Sequence, residues 1–142
     1  MCCVRSFVVW RAERGRECFG EIQSDREYLV QLSYLPLLRY HTLPRFGKWL
    51  LAIQRQLRQT DGIIGYSLLA HPVELNFWTL SVWRDKAALN SFFRSVPHAE
   101  AMKALRANMG QTRFIEWTVT DSTLPPTWSD AMKRFQQPTI AE

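Results

Sequence analysis

Hydrophobic spacing in this chain changes period again and again after Tyr28, and the order of those changes restricts the fold more than any other feature. The run Tyr28-Leu-Val-Gln-Leu-Ser-Tyr-Leu35 is rich in strand formers and stops at Pro36. After a linker containing His41, the residues Leu43, Phe46, Leu50, Ile53 and Leu57 recur every three or four positions. That is one face of an amphipathic helix, with Pro44 in its first turn and Asp61-Gly62 at its end. Ile63–Ala70 and Glu74–Trp83 then read as two strands joined through His71-Pro72-Val73, short enough for an antiparallel hairpin. Asp85 is placed to cap a helix through Ala87, Ala88, Leu89, Phe92 and Phe93. Pro97 opens a second helical piece whose apolar face is His98, Met102, Leu105 and Met109, ended by Gly110. Thr112–Asp121 alternates as a strand, with Phe114 and Glu116 on one face and Ile115, Trp117 and Val119 on the other. A Pro125-Pro126 turn leads to a terminal helix, Trp128–Phe135.

The order β-α-β-β-α-β within residues 27–121 predicts an α+β, ferredoxin-like domain: a four-stranded antiparallel sheet with its helices on one face. Residues 1–26, rich in Arg and Glu, are expected to be an N-terminal extension, and 122–142 a tail with a short helix. An apolar second sheet face has to be covered, and a second subunit is the simplest cover, so a homodimer is expected. With 142 residues, 46% of them hydrophobic, the chain suffices for one domain and its core.

No apolar run approaches the roughly 18–20 residues that cross a bilayer, and no secretory leader is read at the N-terminus, so the expectation is a soluble, cytoplasmic protein. The cysteines, at positions 2, 3 and 18, leave the body of the chain without a disulfide or zinc framework. The net charge of +5 is concentrated in residues 43–60, where Arg45, Lys48, Arg55 and Arg58 meet no acid; this reads as a solvated helix face. An RNA-recognition sheet would need glycines and a basic residue on its third strand, and Glu74-Leu-Asn-Phe-Trp-Thr-Leu-Ser-Val-Trp83 has neither, so no nucleic-acid partner is expected. Phosphate loops, dinucleotide fingerprints, nucleophile elbows and zinc-protease motifs are absent from the sequence, and no metal site is expected.

What chemistry remains must come from an aromatic pocket with few polar groups. His98 shares a helix face with apolar residues and lies in a first turn, where burial and the helix dipole both favour neutral imidazole. Such a group can act as base, hydrogen-bond donor or ligand. Trp83 ends the third strand of the motif, and strand parity groups it with Phe77, Thr79 and Ser81. Tyr66, Trp117, Met102 and His41, the last in a linker at the rim, complete the candidate substrate-binding set with Phe77 and Ser81.

The stretch Phe77-Trp-Thr-Leu-Ser-Val-Trp-Arg-Asp-Lys-Ala-Ala-Leu-Asn-Ser-Phe-Phe-Arg-Ser-Val-Pro-His98, continuing to Met102, resembles the antibiotic biosynthesis monooxygenase superfamily. The resemblance implies a dimeric α/β barrel in which two ferredoxin-like subunits close their sheets on each other. It implies monooxygenase-like oxidation of a small aromatic or polyene metabolite, with His98 as base or donor and Trp83 as the wall that excludes water. The cofactor is either none or haem. In the haem-degrading branch a Trp ending the third strand matches Trp83, while the haem-binding His falls where this chain has Met102. The pocket Asn of that branch has no clear match in this chain, where Gln31 and Ser33 are the nearest polar residues. A haem- or small-ligand-binding dimer without turnover is the alternative.

Overall fold

In a computed structural model the chain is described for the backbone of residues 5–9 and for residues 26–120 and 126–137. The strands are β1 (Arg5–Val9), β2 (Glu27–Pro36), β3 (Ile63–His71), β4 (Asn76–Trp83) and β5 (Arg113–Thr120). The helices are α1 (Leu43–Gln59), α2 (Lys86–Arg94), α3 (His98–Leu105) and α4 (Trp128–Gln136). All pairings are antiparallel in the order β1-β3-β4-β2-β5, so β2 through β5 form the ferredoxin-like sheet expected from the periodicity. The fifth strand is an addition. Arg5–Val9, inside the stretch read as an extension, pairs along β3 at the sheet edge. The three cysteines lie outside the described residues.

Local chemistry explains the boundaries. Asp85 caps α2 by accepting a hydrogen bond from the Ala88 amide at 2.8 Å. Gly62 ends the α1–β3 turn with φ 89°, and a Cβ there would lie 2.6 Å from that of Ala88. Only glycine serves at that point. The helix expected to run from His98 to Met109 is shorter: α3 ends at Leu105, Arg106–Asn108 tighten into a 3-10 turn, and Met109 bridges to Leu37. Backbone pairing with the end of β2 (Gly110 N–H to Pro36 O, 3.0 Å) draws the chain away before another helical turn can form.

Register sorts the side chains into two layers. Pairing Gln31 with Ser81 and Ser33 with Thr79 turns these residues toward α1, α2 and α3. Their neighbours Val30, Leu32, Leu80 and Val82 face the other way and are fully buried with Tyr28, Ile64 and Trp78. That outer face is where a second subunit was expected, and the chain covers it itself. Ala131, Trp128, Met132 and Phe135 of α4 pack onto it. Trp128 donates from Nε1 to Ser67 Oγ at 2.7 Å, Arg113 donates to the carbonyls of Phe135 and Gln137, and the Arg134 guanidinium lies 4.7 Å from the Trp117 ring centre. A nine-residue amphipathic helix, read from the sequence as part of a tail, thus packs on the face where a partner subunit is expected.

Candidate functional site

Alternation along β2 and β4 points Leu35, Ser33 and Gln31 of one strand and Thr79, Ser81 and Trp83 of the other toward the helices. Leu50, Ile53 and Leu57 of α1, Phe92 and Phe93 of α2, and His98 and Met102 of α3 roof them over. Between floor and roof lies a cavity of about 90 Å³. That is well above the roughly 10–15 Å³ needed to admit a single water, and it leaves room for a small ring.

The walls are apolar and the polar groups few. Trp83 is 1% exposed; its indole N–H donates to Ser81 Oγ at 2.8 Å and its ring packs on Phe92 at 5.1 Å. His98 is half-buried against the rings of Phe92 and Phe93, at 4.8 and 4.9 Å. Its Nδ1 lies 3.4 Å from the Phe93 carbonyl, which can only accept, so Nδ1 carries the proton and Nε2 keeps its lone pair. Burial pushes the imidazole below the ordinary histidine value, and the Phe93 carbonyl opposes that only partly. The group is neutral at pH 7.

Gln56 holds the corner on which this depends. From α1 its amide donates to the Phe92 carbonyl at 3.3 Å, and its carbonyl accepts the His98 backbone N–H at 2.9 Å. One side chain thereby satisfies the end of α2 and the start of α3, two places where helices leave backbone groups without partners.

Of the residues singled out from the sequence, Trp83, His98, Tyr66, Ser81 and Met102 line this cavity. Three do not. Phe77 points to the correct face but packs one layer along, against Phe46 at 4.6 Å, with Leu35 and Leu105. Trp117 sits opposite Val30 and therefore on the outer face, beneath α4. His41 is exposed in the 3-10 turn Tyr40–Thr42, away from the cavity. Sequence reasoning also left out Thr79, Gln54, Phe92, Phe93 and the half-exposed Phe114 as lining residues. Gln31 and Ser33, noted only as counterparts of another residue, form the floor. Their signal was available: polar residues at the inward positions of a strand whose other inward residues, Leu29 and Leu35, are apolar.

Haem does not fit this arrangement. The cavity is far smaller than a tetrapyrrole, and among the described residues no Lys or Arg lines it to meet carboxylates. Among the described residues no group of three His, Cys, Asp or Glu could hold a metal ion.

A ferredoxin-like α+β domain with an apolar cavity between sheet and helices is the class that fold and site define. Within it, the resemblance to antibiotic biosynthesis monooxygenases is shown: residues 43–104, from the start of α1 to the last turn of α3, match the family model described as "Antibiotic biosynthesis monooxygenase". Solved structures agree in fold. A mutant of SnoaB, a cofactor-independent oxygenase from Streptomyces nogalater, superposes with a TM-score of 0.56 at 15% identity, over 69% of this chain and 97% of its own. A protein from Methanosarcina mazei gives 0.56 at 14%, over 63% and 90%. A protein from Lactobacillus acidophilus gives 0.57 at 7%, over 70% of this chain but only 50% of its own length. No curated protein matches the sequence.

Proposed function

We propose that this protein is a cytoplasmic, monooxygenase-like enzyme that oxidises a small aromatic or polyene metabolite without a bound cofactor. The observation that carries the reading is the half-buried His98 ring, its Nδ1 against the Phe93 carbonyl, lining the same apolar cavity as a buried Trp83. In this reading His98 Nε2 removes a proton from an activated carbon or hydroxyl of the substrate, and the resulting carbanion supplies electrons to dioxygen. The balance closes without an external reductant. A methylene loses two hydrogens and becomes a carbonyl, one oxygen atom entering the product and the other leaving as water. Trp83 and Phe92 keep bulk water from the anion.

The first test is mass spectrometry of the purified protein for a retained ligand, followed by oxygen uptake with that ligand. His98→Gln is expected to lower turnover by about two to four powers of ten, the usual contribution of a general base. Full activity in His98→Gln would remove the assigned role. Wild-type activity should hold through neutral pH and fall only below the ordinary histidine value, because the base is lost on protonation and its proton affinity is depressed. Binding without oxygen uptake would instead identify a ligand carrier.

A further inference from the structure

Gln31 is 3% exposed, lines the cavity, and its carboxamide meets no hydrogen-bond partner among the described residues. A carboxamide offers two donors and an acceptor, and here they border the cavity space. Ser33, 7% exposed, and Thr79 directly across from it are in the same position, with hydroxyls that bond to nothing described. Strand formation does not require these residues. One position along, the same two strands carry Val30, Leu32, Leu80 and Val82. The polar set appears only where the sheet borders empty space.

We infer that Gln31, Ser33 and Thr79 are a recognition floor that selects an uncharged, single-ring guest bearing a hydrogen-bond donor and an acceptor side by side. This rests on the reading of the cavity as a ligand site, and it specifies what the site takes. The donor–acceptor requirement follows from the carboxamide, which presents both functions on one edge. Neutrality follows from the lining: among the described residues no Lys, Arg, Asp or Glu borders the cavity, so an ionic guest would enter without a counter-charge. Size follows from the roughly 90 Å³ available.

The test is equilibrium binding by calorimetry of three probes of nearly equal size: benzamide (donor and acceptor), acetophenone (acceptor only) and ethylbenzene (neither). The wild-type protein is expected to prefer benzamide to ethylbenzene by about tenfold or more, with acetophenone between them. Gln31→Met keeps the shape and removes both polar functions. It should erase that preference, weakening benzamide about tenfold and leaving ethylbenzene unchanged or tighter. Because it replaces a buried amide with no described partner, Gln31→Met should also melt no lower than wild type, whereas a structural Gln31 would make it melt lower. Equal affinity for the three probes, a ranking unchanged by Gln31→Met, or no binding of any probe to the folded wild-type protein would each overturn the proposal. The proposed oxidation fails separately. If His98→Gln leaves turnover intact while the probe ranking holds, the base assignment is lost and the recognition floor stands.

Discussion

The two faces of the sheet are built from the same strands, one residue out of step, and they do opposite things. On the outer face Val30, Leu32, Leu80 and Val82 are sealed under α4. On the inner face Gln31, Ser33, Thr79 and Ser81 border a cavity under α1, α2 and α3. The outer face is packed under α4, whereas the inner one presents polar groups to the cavity, which makes binding possible. Even the outer face has its cost, since the indole N–H groups of Trp78 and Trp117 are buried there with no acceptor among the described residues.

Removing residues 122–142 should break this contrast most completely. With α4 gone, a broad apolar sheet face meets water, and the protein should self-associate or lose its cooperative melt, read by size-exclusion chromatography and calorimetry. A chain that stays monomeric with an unchanged melt would show that α4 does not carry the seal. Next in size, Leu80→Ala empties a site with no exposure and should cost about 2–5 kcal/mol in denaturant titration. The adjacent inner residue gives the control. Thr79→Val swaps a hydroxyl with no described partner for a methyl and should change stability by less than about 1 kcal/mol. Comparable losses at both positions would mean the cavity face is packed as tightly as the other.

The smallest effect sharpens the inner face. Gln56→Leu cuts both hydrogen bonds at the α2–α3 corner, so water should reach the His98 ring and its titration, followed by NMR, should rise toward the ordinary value. The sign for stability follows from the depressed folded-state value: as pH falls below about 6.5 the unfolded chain takes up the proton first, and stability drops. His98→Gln should flatten that acid limb. An identical limb in both proteins would place the titrating group elsewhere.

Much of this was legible before any coordinates. Asp85 announces its helix because capping is a matter of neighbouring atoms, and the parity of Phe77 through Trp83 holds because side-chain direction along a strand is local. The errors share a cause. Assigning Trp117 to the cavity required knowing that it pairs with Val30 rather than with Gln31, a register set by the whole sheet. Phe77 lies on the cavity's face, but only packing against Phe46 shows that it belongs to the next cluster. Met109 has helical spacing and is claimed by a bridge to Leu37 instead.

By itself the sequence determined the α+β order of elements, the direction each side chain takes along its own strand or helix, and the likeness to a monooxygenase family. Those properties are written in spacings of two to four residues. Tertiary structure alone decided which helix shuts the outer face, that β1 joins the sheet, and that Gln31 meets no described partner beside empty space. Burial and hydrogen-bond satisfaction depend on atoms brought together from dozens of residues apart, and no local pattern encodes whether a partner will be there.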